Sequence, residues 1–570
     1  MKIARCYLVF LCFIFVSTNP AYSLTPSPSQ TGGGIQKQEE QLRAAERLEK
    51  QITKEKTKPE EPVAEEKPGQ PAEEGQKILI HKIEVRGVSL IPQALVDGIV
   101  KDYEGKEAGV RDMQKICDLI TDEYRKRGRV TSRAYLPPQN IKGGTLVVTV
   151  LEGRVGSVDV RNNKYFTTAY LKKKLHVISG DYLDYQALQK TLVKINEHPD
   201  RTVKLGLVPG KEPGTTDLIL DVHDRLPIHA SYEYDNFGSR YTAYDRHGFS
   251  AEDNNLFGVD DKFAVKYQRG PDQFYDSTNL SYSLPVTDTL DLDMYWLWSN
   301  SKLGKEFAAL DVKSKTQIGG VSFTYGVIDM NALEFKVSGG FDYKHSTNLM
   351  GGAMTSRDND RVVKIGGDLD LTDAWGRTVI TLEEDVGILG FGLRKEDPFA
   401  TRPDAGPQFQ KLTGYLYRLQ PMPFSSSILW KNQFQASNDN LLSVEQFQLG
   451  GVSNVRGYET GEYGGDQGIA STVEWSFPPY FIPKDMKAPF SKSTLYDAVR
   501  LVGFYDVGYT EINNPLPTDQ KNRTLQGWGY GIRGNLPEDF SARFEVAYPI
   551  HPKLHSDDAA KFYVDIAKKF

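Results

Sequence analysis

The sequence predicts a membrane β-barrel of sixteen antiparallel strands, preceded by two small α+β domains and a polar N-terminal helix. Three observations carry this prediction. Aromatic residues make up 11% of the chain, with 30 Tyr and 51 Gly, yet mean hydropathy is only −0.46. That balance excludes a bundle of apolar transmembrane helices and suits a barrel, whose alternating strands keep average hydropathy low. Beyond Pro227 the helical signal disappears and apolar residues recur with period 2. The chain ends in AKFYVDIAKKF, which sets Phe562, Val564, Ile566 and the terminal Phe570 on one face.

The elements before the barrel follow in order. Lys2 and Arg5 precede the apolar run Cys6–Val16, and Ala21-Tyr22-Ser23 supplies a small-residue cleavage site. Residues 1–23 therefore read as a secretory signal peptide, because the run is too short to span a bilayer. Cys6 and Cys12 leave with it, so of 3 Cys only Cys117 remains and no internal disulfide can form. Its helical spacing with Val110, Met113, Ile120 and Tyr124 predicts a buried structural thiol. Residues 24–34 are rich in Pro, Ser and Gly and are expected to be a mobile tether. Residues 35–58 contain no Gly or Pro and many strong helix formers. Ile35, Leu42, Leu48 and Ile52 are too few for a core helix, so this one belongs in water or in a water-filled channel. Residues 58–77 form a Pro/Glu linker with nothing to bury.

From 78 to 225 the periodicity changes in the same order twice. The first pass gives a strand at 78–88, helices at 92–104 and 110–127, and strands at 130–136 and 145–151. The second gives a strand at 154–160, helices near 168–175 and 184–197, and strands at 202–208 and 216–222. Two β-α-α-β-β domains, 78–152 and 153–225, are expected, each packing a helix pair on a three-stranded sheet.

The barrel is expected over 226–570. Residues 262–268 put Phe263, Val265 and Tyr267 opposite Lys262, Lys266 and Gln268, and residues 291–299 align Leu292, Met294, Trp296 and Trp298. A soluble β-sandwich also alternates, but the export signal, the aromatic faces and the chain end favour the membrane form. The last strand resembles the C-terminal signature of bacterial outer-membrane barrels; Lys568 departs from it, where an apolar residue is usual. An even strand count puts both ends in the periplasm, and a barrel of this size leaves an aqueous lumen unless something fills it.

One connection, residues 437–467, is long and carries Gly450-Gly451 and Val455-Arg456-Gly457-Tyr458, a VRGY motif. The following strand holds Phe504, Asp506 and Gly508 in an F-x-D-x-G motif. Period 2 puts Val499, Leu501, Tyr505, Val507 and Tyr509 toward lipid, and Arg500, Phe504, Asp506 and Gly508 toward the lumen. An inward carboxylate is a bidentate partner for an arginine arriving on a folded-in loop. Gly457 permits a tight turn there, and Gly508 leaves room at the wall. With the tandem domains, these motifs resemble the outer-membrane transporters of two-partner secretion, the TpsB family of hemolysin/hemagglutinin secretion-activation type. Asp235-Asn236-Phe237-Gly238, Asn255-Leu256-Phe257-Gly258, Pro137-Pro138-Gln139 and Glu152-Gly153 look like that family as well, so the resemblance covers essentially the whole mature chain.

The resemblance implies a Gram-negative outer-membrane protein whose two POTRA (polypeptide-transport-associated) domains lie in the periplasm. It implies that the N-terminal helix plugs the barrel and that Arg456 on the infolded loop meets Asp506. It further implies export of an unfolded partner, a large β-helical exoprotein of TpsA type, captured by the POTRA domains. An open strand edge can hold such a chain through main-chain bonds. Outer-membrane lipid surrounds the barrel, and the barrel assembly machinery and periplasmic chaperones are implied partners during biogenesis. A barrel insertase of the same superfamily is the alternative, and a passive porin or adhesin is the alternative of a different class.

The residues themselves speak against an enzyme. No G-x-x-x-x-G-K-[ST] loop, G-x-S-x-G elbow or H-E-x-x-H spacing occurs, and the 9 His show no metal pattern. No catalytic residue, cofactor or metal is expected. Net charge −6 and a pI near 6.0 argue against nucleic acid as a partner.

Overall fold

The computed structural model describes residues 26–54, 77–141, 143–390, 394, 397–488, 491, 493–517, 519–536, 539–550 and 559–570. The signal peptide and nearly all of the Pro/Glu linker lie outside the described residues.

The first α+β domain builds a sheet from Lys82–Arg86, Thr145–Leu151 and Arg133–Tyr135, with Thr145–Leu151 in the middle. That middle strand runs parallel to the first and antiparallel to the third. Helices Gln93–Lys101 and Val110–Lys126 bury Val96, Val100, Met113, Ile116, Cys117 and Ile120 against Leu146 and Val148. Two details differ from expectation. The first strand breaks at His81, whose amide bonds the Gly144 carbonyl at 2.7 Å, and its leading piece Ile78–Ile80 pairs with a short strand, Lys106–Ala108, between the helices. The strand expected at 130–136 shrinks to Arg133–Tyr135 because Arg129–Ser132 closes a turn at 3.0 Å. Beyond it, the Gln139 side chain donates to the Val147 carbonyl at 2.7 Å and accepts from its amide at 2.8 Å, imitating a strand neighbour.

The second domain repeats the plan, with Thr215–Asp224 between Arg154–Arg161 and Arg201–Pro209, and helices Thr168–Lys174 and Tyr185–Ile195. Leu171, Leu188, Ile195, Val203, Leu218, Leu220 and Val222 form its core.

Among the described residues sixteen antiparallel strands, from Ile228–Asp235 to Lys561–Lys569, close into a barrel, the last pairing with the first. Alternation is visible along Val499–Glu511, where Tyr505 is 41% exposed between the buried Phe504 and Asp506. Lys568 pairs with Tyr232 near the periplasmic end, and its ammonium lies 5.9 Å from the Phe570 ring centroid. At that depth a lysine reaches the headgroup level by extending its stem, so the lipid-facing charge is tolerated.

The N-terminal helix runs through the lumen as Gly32–Thr53, about 33 Å of rise. It starts earlier and stops sooner than residues 35–58. Gly32, Gly33 and Gly34, expected in a tether, are helical and buried: a Cβ on Gly32 would collide with Ser314 and Thr316 of the wall, and one on Gly33 with Ser443. Thr31 caps this end, its Oγ1 donating to Ser443 Oγ at 2.8 Å. At the other end Arg377 donates to the Lys54 carbonyl at 2.6 Å and the Ile52 carbonyl at 3.5 Å. A cation on the last carbonyls ends the helix where the backbone leaves it at Lys54.

Candidate functional site in the barrel lumen

The connection between Ser426–Ser437 and Gln467–Phe477 folds into the barrel rather than over it, and residues 440–451 are all buried. A small hairpin, Phe447–Leu449 with Tyr463–Gly465, stiffens it. Phe447, Leu449, Val455 and Tyr458 pack on Ala470 and Leu525 of the wall. Gly457 adopts φ +96°, and a Cβ there would press on Tyr548 and Pro549, so only glycine suits the tip. A Cβ on Gly508 would collide with Leu449 and Val455, so the strand must present a bare backbone there.

These constraints deliver Arg456 to the wall. Its Nε and Nη2 donate to the two oxygens of Asp506 at 2.8 Å each, and its backbone amide adds a bond to Asp506 Oδ2 at 3.0 Å. The guanidinium also lies 3.3 Å from the Phe504 ring centroid. Arg456 is 2% exposed and Asp506 is 0% exposed. A bidentate pair stacked on an aromatic face and cut off from water is held both by charge and by shape.

The pair belongs to a larger network that sequence reasoning missed. Arg456 Nη1 reaches Glu474 Oε1 at 2.9 Å and Glu545 Oε2 at 3.0 Å. Arg533 bonds Glu545 at 2.6 Å and Glu474 at 3.0 Å, and Lys431 bonds Glu474 at 2.9 Å. The helix supplies one member: Glu49 meets Arg533 at 2.9 Å, Lys431 at 3.4 Å and Arg543 at 3.8 Å. Arg456, Arg533, Lys431 and Arg543 thus face Asp506, Glu474, Glu545 and Glu49, and the helix supplies the last of these carboxylates. The available signal was period 2: Glu474 and Arg533 occupy inward positions of their strands, opposite Phe504 and Arg500.

A second arginine holds the root of the loop. Arg402, from the surface connection after Gly376–Gly387, bonds Asp466 at 2.5 Å and the carbonyls of Leu441 and Asn513 at 3.1 and 3.0 Å. The helix touches the loop as well, Gln41 accepting from the Gln448 amide at 3.2 Å. Its four large apolar side chains pack at three places: Ile35 meets Tyr241 and Phe307, Leu42 joins Phe237 and Val502, and Leu48 and Ile52 together pack on Val379, Tyr417 and Leu429. Among the described residues no His, Cys, Asp and Glu group has metal-holding geometry.

The family model described as haemolysin secretion/activation protein ShlB/FhaC/HecB matches residues 214–534, and that of the POTRA domain, ShlB-type, matches residues 78–153. The heme/hemopexin transporter protein HuxB of Haemophilus influenzae is 24% identical over 487 residues, 83% of each chain. The outer membrane transporter CdiB of Escherichia coli is 24% identical over 568 residues, covering 96% of this chain and 92% of its own. The solved structure of CdiB from Escherichia coli shares the fold, with a TM-score of 0.70 at 21% identity over 95% of this chain and 99% of that one.

Proposed function

The chain belongs to the haemolysin secretion/activation family of two-partner secretion outer-membrane transporters, and on that premise we propose that its POTRA domains capture an unfolded partner exoprotein in the periplasm and that the barrel passes it to the cell surface without ATP. The observation that carries this reading is how the lumen is filled. Helix and loop are held mainly by ion pairs and hydrogen bonds, contacts that water or a passing polar chain can replace one by one. Folding of the exported chain outside withdraws the unfolded form from the pore and supplies direction. No phosphate-binding loop is present in the sequence to couple nucleotide hydrolysis.

Arg456 and Asp506 are assigned to the transport-competent position of the loop. Breaking a buried ion pair typically costs about 3–5 kcal/mol. Arg456→Ala removes the one cation shared by Asp506, Glu474 and Glu545, whereas Asp506→Ala leaves the guanidinium two carboxylates. Both substitutions should impair secretion, Arg456→Ala more severely, and the double substitution should add little to Arg456→Ala. The measurement is secreted partner per folded transporter for wild type, both singles and the double. Additive losses would separate the two residues, and wild-type secretion in both singles would remove the motif from transport.

A further inference from the structure

The segment Asn255-Leu256-Phe257-Gly258, set in the periplasmic turn between strands Arg246–Asp253 and Lys262–Arg269, takes no part in the lumen. Its two sides face different surroundings. On the polar side, Asn254 donates to Asp200 Oδ2 of the second POTRA domain at 2.7 Å, and the Asn254 carbonyl lies 2.8 Å from His198 Nε2. Asp260 receives Arg201 in a two-pronged pair at 2.5 and 2.7 Å, and the Arg201 side chain is 1% exposed. Asp200 also binds His229 of the first barrel strand at 2.6 Å and Arg225 at 2.8 Å. Asn255 Oδ1 accepts from the Asp260 amide at 3.0 Å, and Asp261 accepts from the Phe257 amide at 2.9 Å, so the turn is braced internally.

The other side is apolar and open. Leu256 is 43% exposed and Phe257 73% exposed. Phe257 lies edge-on to Tyr282, ring centroids 6.3 Å apart, and Tyr282 pairs with Phe263 in the lipid-facing row. The exposed tip therefore continues the outer face of the barrel at the level of the inner-leaflet headgroups, where amphipathic and aromatic side chains gather.

We propose that the turn 254–261 is a two-sided anchor that fixes the second POTRA domain at a set angle to the membrane: its polar side binds the domain, and its Leu256–Phe257 tip sits in inner-leaflet phospholipid. Neither half suffices. The ion pair and hydrogen bonds tie domain to turn, and the apolar tip ties turn to bilayer. A chain handed on by this domain then meets the pore mouth from one direction. The inference rests on the membrane placement of the family and not on what is exported.

The test uses the full chain in phospholipid nanodiscs, with Cys117 replaced by Ala and nitroxide labels on introduced cysteines. A label at Phe257→Cys should be more accessible to oxygen than to a water-soluble nickel chelate, the reverse of a label at the exposed Glu212→Cys. Dipolar distances between labels at Lys190→Cys and Asn522→Cys should form one narrow distribution. Arg201→Ala and, separately, Phe257→Ser should each at least double its width, and the swap Arg201→Asp with Asp260→Arg should narrow it again. Chelate access at position 257, or wild-type width in Phe257→Ser, overturns the lipid half. Wild-type width in a folded Arg201→Ala overturns the protein half. Neither readout needs a secreted partner, so failure here leaves the export reading standing.

Discussion

In the first POTRA domain Ile116, Cys117, Ile120 and Tyr124 pack on Leu146 and Val148 with no exposed surface on any of the six. The barrel lumen holds its contents with Arg456, Arg533, Lys431 and the carboxylates around them. An apolar core has no substitute for its own side chains, and opening it exposes every buried group together. An ionic filling has substitutes in water and salt, so its contacts can be exchanged one at a time. The sixteen strands are joined by main-chain ladders that do not pass through the helix or the loop. The difference separates what the molecule must keep from what it can release.

Removing the container's partner should have the largest effect. Deleting residues 78–152 should abolish export while the barrel still inserts, and normal secretion by that variant would reject the capture role. Deleting Gly32–Thr53 should come next, raising single-channel conductance in planar bilayers several-fold with the barrel still folded. Unchanged conductance would mean that the helix does not obstruct the lumen. A paired substitution sharpens the contrast. Leu146→Ala should destabilise the first POTRA domain by about 2–5 kcal/mol, read by denaturant unfolding of the full chain followed at that domain. Leu48→Ala, equally buried at 1% exposure, should leave the thermal unfolding of the barrel unchanged and only raise the frequency of open-channel events. The smallest effect concerns Cys117, whose thiol burial pushes up to about 11. Folding keeps its proton on, so this group contributes stability at neutral pH that is lost as pH rises from about 8.5, the unfolded value, toward 11. Alkylation at pH 8 should be slow in the native protein and fast in denaturant; equal rates would place the thiol at the surface.

The outline of the barrel was legible because period 2 holds along most of the strand length, broken at bulges such as Gly326–Ile328, and because lipid and water impose opposite chemistry on its two faces. The loop was legible through VRGY and its partner strand, four and six consecutive residues that stand together. Glu474, Glu545, Arg533 and Glu49 were not, since each is one charged residue on an inward face where charged residues are ordinary. Their meeting is set by strand register and by the helix: Gln467–Phe477, Asn522–Leu536 and Phe540–Pro549 lie within four successive neighbours of the wall, and Glu49 reaches them from the lumen. The helix boundaries were misread for a related reason. Gly32–Gly34 has poor helix propensity, and its glycines answer to contacts outside the helix: a Cβ would collide with Ser314 of the wall at Gly32, with Ser443 of the loop at Gly33 and with Pro28 and Ser29 at Gly34. The stop at Thr53 depends on Arg377, more than three hundred positions away.

The join between the last and first strands is the shortest stretch of ladder in the wall, five residue pairs from Asp565–Asp235 to Lys569–Ser231. Asn236 lengthens it with a side chain, donating to the Phe562 carbonyl at 2.8 Å and accepting from the Val564 amide, also at 2.8 Å. The infolded loop then grips both margins: the Gly457 amide bonds the Tyr563 hydroxyl at 3.0 Å on one, and Thr460 bonds the Phe237 carbonyl at 3.0 Å on the other. The cask is thus hooped from within at its weakest stave, and whatever pushes the hoop aside also loosens that joint. A disulfide between the paired positions, Ser231→Cys with Lys569→Cys, tests that joint: secretion blocked by oxidation and restored by reduction would mean that the wall parts there, and wild-type secretion by the oxidised variant would mean a wall of fixed girth.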